Sequence, residues 1–239
     1  MAWLLKQAGC QVSTANWDNA GGTAKGVDDL IVSQGLAAWE QAIDPGQPKH
    51  DYQVKTKYLD GSVLPLDRPW LNLNLPTGMG KTTALAAYKD RLMELAIRRG
   101  YKSIRILVIG PLERLGRANA ATFGVLYRID WLKDQSQGLA CCIHSLHSNS
   151  QIEFRADEFW GDPDLMPVLF FDEHDQSLSG LADAAKMTRT QAAILNELSK
   201  ALKIVATRGI LITSSATGQE REIALIQRLA DTTIEPYRV

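Results

Sequence analysis

The segment 75–83, LPTGMGKTT, decides how the rest of the chain is read. It carries the end of the phosphate-loop pattern G-x-x-x-x-G-K-[ST], with leucine, Leu75, where the first glycine would fall. A phosphate needs a tight turn of inward N–H groups at a helix N-terminus, with a lysine and a hydroxyl beside it. Gly78 and Gly80 supply permissive backbone, and Thr77, Gly78, Met79, Gly80, Lys81, Thr82 and Thr83 form the candidate nucleotide-binding run. Within it Lys81 is expected to be the point charge for the β- and γ-phosphates of a nucleotide, and Thr82 a ligand for Mg²⁺. The dipole of a helix starting near Lys81 adds to the same field.

The flanks fit such a turn. WLNLNL (70–75) alternates like a strand, and KTTALAAYKDRLMELAIRR (81–99) places Leu85, Tyr88, Leu92, Leu95 and Ala96 on one helical face, with Gly100 as its C′ stop. The apolar runs IRILVI (104–109), ACCI (140–143), VLFF (168–171) and ILIT (210–213) are separated by helical stretches, as in a parallel sheet covered on both faces. The expected class is therefore α/β, with a mainly parallel sheet over residues 70–239. VLFF delivers Asp172 and Glu173 to a strand's C-terminal end, the edge where open α/β sheets bind ligands. Asp172 is expected to hold Mg²⁺ through water, and Glu173 to orient and deprotonate the attacking water. Lys81 and this acid pair are expected to converge from neighbouring strand ends. ILITSSAT ends a further strand with Thr213, Ser214, Ser215 and Thr217, hydroxyls placed to sense a γ-phosphate.

The whole chain bounds what this site can serve. Its 239 residues, 45% hydrophobic and 22% charged, suit one full α/β core plus a smaller piece. Twenty-six Lys and Arg against 27 Asp and Glu leave a net charge of −1, so any nucleic-acid contact must be local. Three cysteines, Cys10, Cys141 and Cys142, have no framework spacing, as expected of a reduced cytoplasmic protein. No apolar run approaches about 18 residues, so no membrane partner is expected. Residues 46–69, with Pro48, Pro65 and Pro69 among polar neighbours, read as a linker or extended arm.

LPTGMGKT, DEHD and SSAT, in that order, resemble motifs I, II and III of the first RecA-like domain of superfamily 2 helicases, in which the first glycine is usually absent. GPLERLGRANAATFGVLYRID (110–130), GLACCIHSLHSNSQIEF (138–154) and VLFFDEHDQSL (168–178) are similar to the helicase region of cyanobacterial-type plasmid replication proteins, which join a Toprim-like primase module to a helicase. That family often has an acidic DADL-like stretch where this chain has SSAT. GCQVSTANWDNAGGTAKGVDDLIVSQG (9–35) looks like the end of the Toprim-like module, so the resemblance implies a remnant of it over residues 1–45 and a RecA-like P-loop ATPase domain over 70–239. It further implies ATP and Mg²⁺ as cofactors and single-stranded or forked DNA as partner. His174 and Ser215 with Thr217 would couple the nucleotide to DNA, and Arg114 and Arg117 fall where motif Ia holds a DNA backbone.

The resemblance places a second RecA-like domain with an arginine finger downstream, which a truncated product or one piece of a split protein would draw from a separate polypeptide. An arginine finger is worth roughly 10³–10⁵ in rate, about 4–7 kcal/mol of barrier, so slow ATPase and no processive unwinding are expected of this chain alone. The main rival reading is a non-catalytic DNA- or protein-binding module on the same fold; a small-molecule kinase is disfavoured, since no lid-like Arg cluster is apparent and SSAT has no role in it. Cys141, Cys142, His144 and His147 lack a second ligand pair at structural-zinc spacing and read as packing residues.

Overall fold

The computed structural model describes residues 51–54, 57–76, 78–135, 138–182, 189–216 and 220–239, within the second of two units, Met1–Lys49 and His50–Val239. The expected Toprim-like remnant, residues 1–45, lies outside the described residues, as do Thr77 and Thr217. Seven strands are described: β1 (Trp70–Asn74), β2 (Ser103–Gly110), β3 (Leu126–Tyr127), β4 (Leu139–Cys142), β5 (Leu165–Phe171), β6 (Ile210–Ser215) and β7 (Tyr237–Arg238). They form one sheet in the order β3-β4-β2-β5-β6-β1-β7, and every pairing is parallel.

Side chains of a strand alternate between faces, so each strand feeds two cores. Ile106 and Val108 of β2, Val168 and Phe170 of β5, and Leu71 and Leu73 of β1 enter one. Leu107 and Ile109, Leu169 and Phe171, and Trp70 enter the other. Helices α1 (Lys81–Arg98) and α2 (Glu113–Phe123) cover the first face. The second is covered by α4 (Ala156–Phe159), α5 (His174–Ala182), α6 (Arg189–Arg208) and α7 (Glu220–Ala230), with the one-turn α3 (Arg128–Trp131) contributing Trp131. The result is an α/β fold with a fully parallel sheet between two helical layers. The five positions expected to face inward on α1 are all buried, and Gly100 follows the helix at φ 88°.

The unit begins before Trp70, which corrects the linker expectation for the described part of residues 46–69. Leu59 and Leu64 are buried against α1 and β1. The 3₁₀ turn Gly61–Val63 lies so close to α1 that a Cβ on Gly61 would stand 2.2 Å from the Ala84 carbonyl oxygen. Arg91 of α1 donates to the carbonyls of Gly61, Ser62 and Leu64 at 2.8, 2.9 and 2.9 Å, and Tyr88 Oη donates to Pro65 at 2.6 Å. Proline-rich chain without periodicity is irregular, yet its carbonyls still require donors, and α1 supplies them.

β6 is threaded between β5 and β1 by Gly209, where a Cβ would meet the Pro167 carbonyl oxygen at 2.2 Å. Gly209→Ala therefore forces main chain apart in the middle of the sheet. The expected loss is about 1–3 kcal/mol, read as a lower urea midpoint with an unchanged slope. An unshifted midpoint would contradict this packing.

Candidate functional site

The C-terminal strand ends meet at one edge, and the register fixes which residues share a level. Phe171 of β5 pairs with Thr213 of β6, so Asp172 and Glu173 follow beside Ser214 and Ser215, which themselves pair with Leu73 and Asn74 of β1. The chain leaves β1 through Leu75 and Pro76, turns at Gly78 (φ 87°) and Gly80 (φ 76°), and enters α1 at Lys81. Two left-handed residues within three positions are accessible to glycine without strain. The turn is closed by Met79 N donating to Pro76 O at 3.4 Å and pinned by Leu59 N donating to Met79 O at 2.8 Å. Helix α1 has no side-chain N-cap bond and no acidic residue in its first turn, so its partial positive end is not offset locally.

Lys81 is 8% exposed. Its ammonium donates to the Leu75 carbonyl at 2.7 Å and lies 3.6 Å from Glu173 Oε1. The expectation of neighbouring strand ends needs correction, because β6 stands between β1 and β5. Two strand spacings are roughly 10 Å, and the long reach of both side chains closes the gap. Glu173 itself sits at φ 42°, uncommon for a residue with a side chain. That turn breaks the alternation of β5 and brings its carboxylate back over the edge toward Lys81. Gln176 of α5 donates to the other oxygen, Oε2, at 3.4 Å.

Asp172 continues the parity of Val168 and Phe170 and lies on the α1/α2 side, 4% exposed. Its Oδ2 accepts from Asn119 Nδ2 of α2 at 2.8 Å and its Oδ1 from Ser214 Oγ at 2.6 Å. Both donors are neutral, and no salt bridge reaches this carboxylate among the described residues. A buried carboxylate whose donors are all neutral has no counter-charge of its own, and Thr82, next to Lys81, is half-buried in the first turn of α1. This donor set suits a hard divalent cation such as Mg²⁺, which takes one or two protein oxygens and fills its remaining positions with water and phosphate. No group of three or more His, Cys, Asp or Glu side chains fit to hold a metal occurs among the described residues.

The remaining expected residues divide. Ser215 is fully buried, and its carbonyl accepts from Leu75 N at 3.1 Å, tying the loop to β6. His174 is also fully buried, with Nδ1 2.9 Å from the Ser214 carbonyl. Since a carbonyl only accepts, Nδ1 carries the proton and Nε2 is left as an acceptor without a hydrogen-bond partner among the described residues. The Thr213 hydroxyl is not free to sense a phosphate: it accepts from Trp70 Nε1 at 3.0 Å and donates to Asn72 Oδ1 at 2.9 Å, bracing β6 on β1. Arg117 is paired with Glu113 at 2.9 Å and stacks on Tyr127 at 4.6 Å, whereas Arg114 is exposed. Cys141 is buried, Cys142 half-buried and His144 exposed. Asn119 was missed by sequence reasoning, although a polar residue on the buried stripe Gly116, Asn119, Ala120 and Phe123 was a legible signal.

A domain of unknown function (DUF3854) matches residues 1–38, ahead of this site. Over 252 aligned residues the chain is 28% identical to an uncharacterized protein of Picosynechococcus sp., a match that covers 95% of this chain and 23% of that protein. The chain thus spans less than a quarter of that relative's length.

His174 also sets a pH dependence. Burial holds its pKa below the ordinary 6.5, against the opposing pull of the Ser214 carbonyl and of Asp175, Glu222 and Asp172. The unfolded chain therefore takes up this proton at a higher pH than the folded one. The contribution to stability is complete above about 6.5 and is lost as pH falls from there toward the lower folded value. Thermal midpoints at about pH 7.5 and 5.5 should fall further in the native chain than in His174→Gln; equal drops would rule out this contribution.

Proposed function

We propose that this unit is a RecA-like P-loop ATPase of the DNA helicase type, serving plasmid-type DNA replication. The observation that carries the reading is the convergence of Lys81 and Glu173 to 3.6 Å at the C-terminal edge of a parallel sheet, beside the buried carboxylate of Asp172. The order of the motifs and the glycine turn before α1 support it.

In this reading the turn 75–80 and the uncapped start of α1 surround the phosphates with N–H groups. Lys81 exchanges the Leu75 carbonyl for β- and γ-phosphate oxygens, a move from a neutral acceptor to a charged one. That exchange draws the ammonium off Glu173, whose carboxylate is then free to orient a water and accept its proton. Thr82 and Asp172 would hold Mg²⁺, which when bound with ATP neutralises charge developing on the transferred phosphoryl group. Ser215, through its bond to the loop, and His174, through Ser214, connect the nucleotide to the rest of the edge. Of the two arginines at the motif Ia position, Arg114 is the one assigned to a DNA backbone, because Arg117 is already engaged.

The test is hydrolysis and binding measured side by side. The native chain is expected to turn ATP over slowly, faster with single-stranded DNA. Lys81→Ala should abolish uptake of Mg·ATP in calorimetry, whereas Glu173→Gln should retain uptake and lose about 10²-fold or more in rate. Absence of Mg·ATP uptake by the native chain would overturn the reading; uptake without turnover would favour a nucleotide-dependent binding module on the same fold.

A further inference from the structure

We propose that Asn119 is a positioning residue for the metal carboxylate, setting the affinity of the site for Mg²⁺ while leaving nucleotide contacts alone; the inference rests on the nucleotide-site reading above. Asparagine is a poor helix-interior residue because its amide competes with the backbone for hydrogen bonds. Asn119 nevertheless occupies the inner face of α2, 1% exposed, between Gly116 and Phe123. Its amide instead donates across the layer to Asp172 Oδ2 at 2.8 Å.

The position of that amide is fixed by packing. A Cβ on Gly116 would come within 2.8 Å of the Tyr127 ring, so α2 lies directly on β3. Four residues past Asn119, Phe123 packs on Phe170 of β5 with ring centroids 5.0 Å apart. The helix is held at both sides of Asn119, and the amide cannot follow the carboxylate if it rotates. Ser214 takes the other oxygen. With one donor on each oxygen, the plane of the Asp172 carboxylate is set, and each oxygen keeps lone-pair capacity for a cation or its water. Outer partners of this kind are typically worth 10–100-fold in metal affinity.

Asn119→Leu keeps the branched heavy-atom skeleton, raises helix propensity and removes the donor. By calorimetry, the Mg²⁺ concentration giving half-maximal enhancement of ATP uptake should rise about 10-fold or more, while ATP uptake in EDTA is unchanged. A merely structural role would weaken both. Asn119→Ala, which adds no atoms, is the second variant with the same expectation, and circular dichroism and the thermal transition establish that each is folded. A folded variant that titrates with Mg²⁺ like the native chain overturns the proposal, as does equal loss of Mg²⁺-free uptake. If the native chain itself takes up no Mg·ATP, the nucleotide-site reading fails first and the positioning role falls with it.

Discussion

A lysine and a glutamate that belong to different strand ends, with a third strand between them, approach to 3.6 Å with 9% and 15% of their side chains exposed. Everything at this edge serves that approach. The loop must bring Lys81 back over its own strand, which two left-handed glycines allow. Glu173 must leave the alternation of β5, which its own left-handed backbone achieves at some cost in strain. The strand between them must offer little bulk, and β6 ends in Thr213, Ser214 and Ser215, all fully buried. An ion pair this dry contributes little net stability, because desolvation offsets attraction. Its value in the proposed reading is that the pair is poised to exchange: a stronger anion displaces Glu173 from Lys81.

Local period carried most of the architecture. The alternation of WLNLNL and the stripe Leu85, Tyr88, Leu92, Leu95 and Ala96 were legible because each depends only on residues within a few positions, and all five stripe positions are buried. Strand order was not legible, since the pairing of β6 with β1 joins distant parts of the chain. The start of β5 was read at Val168 but lies at Leu165; Pro167 hides it, being a residue that cannot donate to a ladder and so reads as a boundary. Residues 59–65 looked like linker for a related reason, since the Arg91 and Tyr88 bonds that fix them come from a helix whose partner no spacing reveals.

At the candidate site, residue types were readable and partners were not. Lys81, Asp172 and Glu173 follow from motif spacing, but that Asp172 is held by Asn119 and Ser214 is a fact of two long-range contacts. The hydroxyls of Thr213, Ser214 and Ser215 show the same limit. Three adjacent hydroxyl residues suggest one shared task, yet alternation sends them apart. Thr213 faces Trp70 and Asn72 on one side, and Ser214 faces Asp172 on the other.

Ser214 then has an unusual share of the edge. Its hydroxyl holds Asp172 at 2.6 Å, its carbonyl holds the His174 ring at 2.9 Å, and its backbone pairs with Leu73, two residues before the loop. The residues on both sides of Glu173 are therefore anchored to one residue of β6, whereas the Glu173 carboxylate meets Lys81 at 3.6 Å and Gln176 at 3.4 Å, both longer contacts than those of its neighbours. This arrangement lets the carboxylate nearest Lys81 move without shifting Asp172 or the buried histidine. In the proposed reading, that is the division the chemistry requires: Asp172 must stay in place through a turnover, whereas Glu173 must release Lys81 and turn toward water.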